Sequence, residues 1–313
     1  MANSMGVIVS QRTVDTGDYR LAADIFTPAY AARPIVLCCL PGGGMSRRYW
    51  DLPVPDDESY SFALWMVHRG ITVIAIDHIG TGESPLPDGR APLLGEAIAA
   101  NDTAFRLLCK EISETGIGGG PIPNPLRVGV GHSMGALLTI RQQAVHQTHD
   151  GLALDGFSMA GLPAVLAPEI LDTIGDEPPS DELLAELTLH MFGSPYPMIG
   201  MVDDHTQEPA DPVRQALTQA GTRLLGAGGL LSLLPGNVAD DAARVRVPVL
   251  LLNGVHDRLI GENSVDPAQF GASARFDAHL LPDAGHNHNV APSRELFWAK
   301  VLHWAGELRR CRA

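Results

Sequence analysis

The chain has 313 residues, of which 45% are hydrophobic and 19% are charged, and its formal net charge is −14. This length is too great for a simple helical bundle and short for two full enzymes, so we expect one large domain or one domain with an insertion. A strongly negative surface repels phosphate backbones and anionic membranes, which argues against nucleic-acid and membrane partners.

The first two apolar runs, at residues 6–14 and 19–26, are separated by a Thr-Gly-Asp turn and are typical of a hairpin. Six further runs are rich in Val, Ile and Leu, as strands buried on both faces are: Pro34–Leu40, Gly70–Ile76, Leu126–Val130, Gly151–Ser158, Val247–Asn253 and Arg275–Leu281. Helices are predicted between these runs at Tyr60–Arg69, Gly95–Ser113, Met134–Thr148, Ser264–Phe270 and Ser293–Arg309. The alternation predicts an α/β fold, a mostly parallel eight-stranded sheet with helices on both faces.

The interval from Gly161 to Arg244 interrupts this alternation. It contains no strand-like run, only helix-like patches at Ser180–Phe192 and Pro212–Leu225. A connection of this length is too long for an idle loop in a compact domain. We therefore predict a core domain at 1–160 and 245–313, with an inserted helical cap or lid at 161–244.

The apolar stretches and the cysteine spacing indicate the compartment in which the protein is expected. No stretch approaches the ~20 consecutive apolar residues that a bilayer span needs. The N-terminal residues lack the basic and long apolar regions of a signal peptide. The four cysteines follow neither a zinc-binding spacing nor a disulfide framework. We expect a cytoplasmic protein with reduced cysteines.

The strongest chemical motif is Gly131-His132-Ser133-Met134-Gly135, which lies between a predicted strand and a predicted helix. A sharp strand-to-helix turn of this kind lifts a serine hydroxyl out of the sheet, and its glycines avoid clashes within the turn. The helix start also directs backbone N–H groups toward charge that forms beside the serine. The motif in this context predicts that Ser133 is a nucleophile.

A serine needs a base at neutral pH. Asp257 and His286 each follow one of the last two predicted strands, so the chain order is Ser, Asp, His. His286 would accept the proton of Ser133, and Asp257 would hold the imidazole in the right tautomer. His288 is the alternative base and Asp155 the alternative acid. We favour His286 because a Gly-His step follows the last strand, and Asp257 because Asp155 lies inside an apolar run.

Four blocks of this sequence resemble the α/β-hydrolase fold superfamily, in its serine esterase or lipase-like branch with a helical cap. They are the turn Leu40–Gly44, the loop Asp77–Ser84, the motif Gly131–Gly135, and the Asp257 and His286 positions. The usual His-Gly of the first turn is Pro41-Gly42 here. The resemblance implies an oxyanion hole built from backbone N–H groups, which we assign to Gly43 and Met134, with Gly44 as the alternative to Gly43.

The resemblance and the motif together predict a serine hydrolase that cleaves a carboxylic ester or lactone of a small hydrophobic substrate, with no cofactor and no metal. Similar enzymes hydrolyse C–C bonds of ring-cleavage products, thioesters or amides, and some proteins of this fold are small-ligand receptors; these remain alternatives. The sequence leaves open whether the chain forms a homo-oligomer.

Residues beside the motifs and in the predicted cap are candidates for lining the substrate pocket. They are Trp50, His132, Met159, Leu162, Leu189, Met191, Phe192, Met198 and Met201. Arg47 and Arg48 follow the oxyanion turn and are candidates for contacting a substrate carboxylate at the mouth of the cleft.

Overall fold

A computed structural model describes residues 6–30, 32–175, 178–200, 210–260 and 267–312. These residues form one sheet whose strands are β1 (Val7–Asp15), β2 (Arg20–Pro28), β3 (Ile35–Leu40), β4 (Thr72–Ile76), β5 (Leu126–His132), β6 (Gly151–Asp155), β7 (Val249–Gly254) and β8 (Phe276–Leu281). The strand order is β1-β2-β4-β3-β5-β6-β7-β8.

The sheet is mostly parallel. β1 and β2 form the predicted antiparallel hairpin, and β2 also pairs antiparallel with β4. All remaining pairs, from β4 through β3 to β8, are parallel. The central strands β3, β4 and β6 are buried along their whole length, because their uninterrupted apolar sequences are covered on both faces. The predicted α/β fold class is confirmed.

Helices cover the two faces of the sheet. One apolar cluster packs α1 (Phe62–Val67) and α9 (Arg294–Arg312) against one face. A second cluster packs α2 (Leu94–Glu114) and α3 (Met134–His146) against the other. The polar carboxyl ends of the parallel strands are thus left at one edge, where sites of such sheets are built.

The segment between β6 and β7 is helical where it is described. Its helices are α4 (Pro168–Ile174), α5 (Asp181–Phe192), α6 (Asp211–Ala220), α7 (Gly226–Leu233) and α8 (Ala239–Ala242). The segment is attached to the rest of the chain by polar contacts. Asp181 accepts a hydrogen bond of 2.6 Å from the backbone N–H of Gly95, and Met45 forms an isolated bridge with Gly221.

Some element ends differ from the predicted ones. The strand predicted at Gly151–Ser158 ends at Asp155, because Gly156 adopts a φ of 60° and turns the chain. The helix predicted at Pro212–Leu225 ends at Ala220. Of the helix predicted at Ser264–Phe270, the first residues lie outside the described part of the chain, and the rest form a 3₁₀ turn.

Among the described helices, none has both the length and the apolar character that crossing a bilayer requires.

Candidate active site

Ser133 occupies a strained turn between β5 and α3. Its backbone has φ 53° and ψ −121°, a conformation that L-residues rarely adopt. The flanking glycines make the turn possible. A Cβ on Gly131 would stand 2.5 Å from the carbonyl oxygen of Gly135, and a Cβ on Gly135 would stand 2.5 Å from that of Pro41. The Ser133 N–H donates to the carbonyl of Asp155 at 2.8 Å, which ties the turn to β6.

Ser133, His286 and Asp257 form a continuous hydrogen-bonded chain. The Oγ atom of Ser133 lies 2.9 Å from Nε2 of His286, and Nδ1 of His286 lies 2.9 Å from Oδ2 of Asp257. A carboxylate only accepts hydrogen bonds, so Nδ1 carries the imidazole proton and Nε2 is free to accept from the serine hydroxyl. This is the arrangement of a serine, its base and the acid that orients the base.

Asp257 is held in its ionised form. Burial alone would raise the pKa of this carboxyl group, but the hydrogen bond from His286 and the neighbouring imidazoles bring the pKa below its usual value. Its second oxygen accepts from the backbone N–H of Leu259 at 3.0 Å. A fixed negative charge beside Nδ1 would stabilise an imidazolium at His286.

The alternative base and the alternative acid pair with each other. Nδ1 of His288 lies 3.2 Å from Oδ2 of Asp155, and both side chains are almost fully buried. Burial raises the pKa of Asp155 to about 7 and lowers the pKa of His288 to about 4. Asp155 lies at the end of β6 rather than inside a longer strand, so the reason for disfavouring it was wrong.

The turn after β3 lies beside the start of α3. A Cβ on Gly43 would stand 3.7 Å from the Cβ of Met134, whereas the nearest neighbours of Gly44 are Ile199 and Thr222. The carbonyl of Pro41 accepts a hydrogen bond from Nε2 of His78 at 3.0 Å. Of Gly43 and Gly44, Gly43 is therefore the one that lies beside Met134 at the start of α3.

Arg47 does not face the cleft, and the interpretation of it as a contact for a substrate carboxylate is wrong. Its side chain is only 2% exposed and forms ion pairs with Asp24, Asp77 and Glu83. The backbone N–H of Arg47 also donates to Asp77 at 2.6 Å. Arg48 pairs with Glu83 at the surface. The network joins the turn after β3 to the loop Asp77–Ser84.

The inserted segment is tied to this same turn. Ser46 donates to the carbonyl of Ala220 through its backbone N–H at 2.7 Å and through its hydroxyl at 2.9 Å. The N–H of Thr222 donates to the carbonyl of Gly44 at 2.8 Å, and its hydroxyl accepts from the N–H of Gly82 at 2.7 Å. Ala220 and Thr222 of the inserted segment are thus hydrogen-bonded to the turn after β3 and to the loop Asp77–Ser84.

A cavity of about 240 Å³ opens above Ser133 and His286. Its described lining contains no Asp, Glu, Lys or Arg. The apolar members of the lining are Met45, Met134, Phe157, Leu162, Phe192, Ile199, Leu224, Leu233, Leu259 and Ile260. The polar members besides Ser133 and His286 are His132, Ser158, Ser232, Asn237 and Asn287. Such a lining favours an uncharged, mainly apolar ligand.

Three of the residues predicted to line the pocket do so: His132, Leu162 and Phe192. Trp50 instead lies in the core against Tyr49 and Phe62, and Met159 is buried in the opposite apolar cluster.

The other predicted pocket residues lie elsewhere. Leu189 is 52% exposed because α5 buries Leu184 and Leu187 on its other face, and Met198 is 72% exposed. Met191 packs against the edge of the core. Met201 lies outside the described residues.

Several cavity residues were not predicted, although most lie shortly after the end of a strand or after a predicted site residue. Met45 comes after the glycine turn, Phe157 and Ser158 come after β6, and Leu259 and Ile260 come after Asp257. Position next to the end of a parallel strand is the sequence signal by which they could have been found. Ile199 and Leu224 had no such signal, since their place depends on how the inserted segment folds.

No group of three or more His, Cys, Asp or Glu side chains in the described part of the chain is arranged to hold a metal ion.

A family model described as the alpha/beta hydrolase family matches residues 35–297. The chain belongs to this family. No protein of curated function matches the sequence of this alpha/beta hydrolase.

Solved structures share the fold of this alpha/beta hydrolase at low sequence identity. Proline iminopeptidase from Mycobacterium smegmatis has 21% identity and a TM-score of 0.62, covering 97% of this chain and 100% of its own. A thermophilic esterase from Thermogutta terrifontis has 17% identity and a TM-score of 0.58, covering 96% and 98%. An N-acyl homoserine lactone degrading enzyme, Est816, has 12% identity and a TM-score of 0.58, covering 93% and 99%.

Proposed function

We propose that this alpha/beta hydrolase is a serine hydrolase that cleaves a carboxylic ester or lactone of a small hydrophobic substrate. The observation that carries the proposal is the chain from Ser133 through His286 to Asp257, which faces a cavity with an uncharged described lining. A neutral lining disfavours substrates that carry a carboxylate or an ammonium group near the reacting carbonyl, because their charge would lose its hydration without a partner.

In the first half of the reaction, Ser133 Oγ attacks the substrate carbonyl while His286 Nε2 takes the hydroxyl proton. The N–H groups of Gly43 and Met134 donate to the oxyanion, a role that the short distance between these two residues supports. The C–O bond then breaks, and His286 gives its proton to the leaving alcohol. In a lactone this alcohol stays attached to the acyl chain.

In the second half, His286 takes a proton from water, and the hydroxide attacks the acyl group on Ser133. Collapse of the intermediate releases the carboxylic acid, and the proton returns to Ser133 Oγ. Asp257 stays ionised throughout and stabilises the imidazolium in both halves. The side chains of this chain supply every proton transfer that ester hydrolysis needs.

We also propose that residues 161–244 act as the cap over this reaction. Leu162, Phe192, Ile199 and Leu224 belong to this segment and supply part of the cavity wall. An apolar wall above the reacting carbonyl excludes water from the bound acyl group. It also gives the acyl or alcohol chain an apolar surface to bury.

The test begins with a fluorophosphonate probe, which reacts only with an activated serine. We expect one adduct by intact mass, located at Ser133 by peptide mapping, and no adduct in the folded Ser133→Ala variant. A panel of uncharged acyl esters and lactones follows, matched with the same esters carrying a carboxylate on the acyl chain. Hydrolysis of the uncharged members alone would support the substrate class. Absence of both adduct and turnover in folded protein would contradict the proposed function.

A further inference from the structure

The residue before the nucleophile contacts the loop that carries the base. His132 ends β5, directly before Ser133, and its Nε2 atom lies 2.8 Å from the main-chain oxygen of His286. A carbonyl oxygen only accepts, so this nitrogen must carry the proton and donate. The side chain is 2% exposed, which protects the hydrogen bond from competing water.

The imidazole of His132 is fixed from several sides. It stacks on Tyr49 with ring centroids 4.6 Å apart and an interplanar angle of 22°. Its Nδ1 lies 2.7 Å from the place that a Cβ on Gly42 would occupy, so any larger residue there would displace the ring. Burial lowers the pKa of His132 to about 4, which keeps the ring neutral at neutral pH. The remaining nitrogen, Nδ1, is buried without a hydrogen-bond partner in the described structure.

The contact has a direct consequence for the reacting atoms. Ser133 moves with His132 because they are neighbours in the chain, and the His286 ring moves with its own backbone carbonyl. One hydrogen bond therefore joins the side chain next to the nucleophile to the main chain of the base, whose carbonyl also accepts from the backbone N–H of His288 at 3.1 Å. Between the nucleophile and the base lies the 2.9 Å contact from Ser133 Oγ to His286 Nε2.

We propose that His132 is a positioning residue, whose Nε2–H holds the main chain of His286 and so sets the distance between the nucleophile and the base. This inference rests on the proposed function. His132 exchanges no proton with the substrate, and its effect is on the rate of the chemical step. His132 borders the cavity, but its side chain is only 2% exposed, so we expect kcat to fall when the hydrogen bond is lost while KM changes little.

Three substitutions separate the hydrogen bond from the packing of the ring. His132→Gln places an amide N–H the same number of bonds from Cβ as Nε2, so it keeps the donor and loses the ring. His132→Asn is one bond shorter, so it keeps a polar amide that does not reach the carbonyl. His132→Phe keeps an aromatic ring against Tyr49 and has no donor.

The rate of fluorophosphonate labelling at Ser133 is measured for each variant that retains a cooperative thermal transition, together with kcat and KM for a short-chain 4-nitrophenyl ester. A misplacement of the reacting groups by about 1 Å costs about 100-fold, so we expect His132→Asn and His132→Phe to lose about that factor in kcat and in labelling rate. We expect His132→Gln to stay within about tenfold of the natural protein, with KM changed less than about threefold in all three.

The opposite order overturns the inference. If Phe restores the rate and Gln does not, His132 acts by packing alone, and equal rates in all variants would show that it does not act on the base. A natural protein that is not labelled at Ser133 would overturn the proposed function itself and this inference with it. Should the Phe variant fail to fold, the Gln and Asn pair still decides between donor and no donor.

One measurement needs no substitution. With ¹⁵N-labelled histidine, the ring of His132 is expected to be the neutral Nε2–H tautomer at neutral pH. The Nδ1–H tautomer at this residue would leave no proton to donate to the carbonyl and would also overturn the inference.

Discussion

Two histidine–aspartate pairs lie side by side in this structure, and their histidines are two residues apart in the chain. His286 pairs with Asp257 at 2.9 Å, and His288 pairs with Asp155 at 3.2 Å. His286 borders the cavity and has Ser133 on its second nitrogen. The second nitrogen of His288 is buried and has no hydrogen-bond partner among the described residues. The two pairs consist of the same residue types. In the described structure, the Nε2 atom of His286 has the hydroxyl of Ser133 beside it, whereas the Nε2 atom of His288 has no hydrogen-bond partner.

The pKa values of the carboxyl groups in the two pairs are shifted in opposite directions. Burial raises the pKa of both groups, but at Asp257 the hydrogen bond from His286, the nearby imidazoles and the N–H of Leu259 together lower the pKa below its usual value, whereas at Asp155 burial dominates and raises the pKa to about 7. Asp257 has a backbone N–H donor from Leu259, and one oxygen of Asp155 has no partner in the described structure. Hydrogen bonds to the charged form are what keep a buried carboxylate ionised.

The largest difference between the pairs should appear in the activity of their histidine variants. His286→Ala removes the proposed base, and loss of the histidine of a serine hydrolase triad costs about 10⁶-fold in kcat. His288→Gln changes a ring that contacts neither Ser133 nor the cavity, so kcat should stay within about tenfold of the natural value. Steady-state hydrolysis of a short-chain ester measures both. A loss in His288→Gln as large as in His286→Ala would remove the distinction between the pairs.

Substitution of the two aspartates should show the same contrast in kcat, with a smaller loss. Asp257→Asn presents an amide to Nδ1 of His286, which favours the wrong tautomer and costs about 10⁴-fold in kcat. Asp155→Asn should cost less than about tenfold, because its backbone carbonyl still accepts from the N–H of Ser133. If Asp155→Asn had the larger effect in the same ester assay, Asp155 rather than Asp257 would be the acid.

The sequence was sufficient to predict the elements and motifs that depend on local chemistry. The strand, sharp turn and helix around Ser133 follow from two glycines and an uninterrupted apolar run, and the family match agrees with the predicted fold. The sequence did not reveal that His288 and Asp155 face each other, because 132 residues separate them in the chain and only the packing of the last loop against β6 brings them together. Their pairing leaves His286 and Asp257 as the pair that contacts Ser133.

The pocket wall was predicted less well, for a physical reason. Trp50 and Met159 are large apolar residues near the motifs, but the same hydrophobicity that suits a pocket also suits the core, where both are buried. Leu189 and Met198 lie in the inserted segment, where the apolar pattern does not show which face meets the cavity. Residues shortly after strand ends would have been better candidates, since the sheet itself fixes their positions.

The pairs should also differ in what they contribute to stability. His288→Ala leaves the carboxyl group of Asp155 buried without its hydrogen-bond partner, which costs about 1–3 kcal/mol in the free energy of unfolding, in addition to the cavity left by the ring. His286→Ala leaves Asp257 with the N–H of Leu259 and a cavity beside it, so we expect a loss of about 1 kcal/mol. Urea denaturation measures both free energies. Equal losses would mean that His288 and Asp155 contribute no more to the free energy of unfolding than His286 and Asp257 do.

The smallest expected effect is on how the free energy of unfolding depends on pH. Asp155 and His288 change this free energy in opposite directions as pH rises. The folded pKa of Asp155, about 7, is above the unfolded value of ~3.9, so its contribution is full below pH ~3.9 and is lost as pH rises toward 7. The folded pKa of His288, about 4, is below the unfolded value of ~6.5, so its contribution is present above pH ~6.5 and is lost as pH falls toward 4.

Between pH 4 and 6.5 the two trends cancel in the intact pair, because on folding Asp155 takes up one proton and His288 releases one. Each single variant removes one trend. Relative to the natural protein, Asp155→Asn should recover stability as pH rises from 4 to 7, and His288→Gln should recover stability as pH falls from 6.5 to 4. Urea denaturation at a series of pH values measures the two slopes. If the free energy of unfolding changed with pH in the same direction in both variants, Asp155 and His288 would not exchange a single proton on folding. The two histidine–aspartate pairs would then differ only in their contacts and burial.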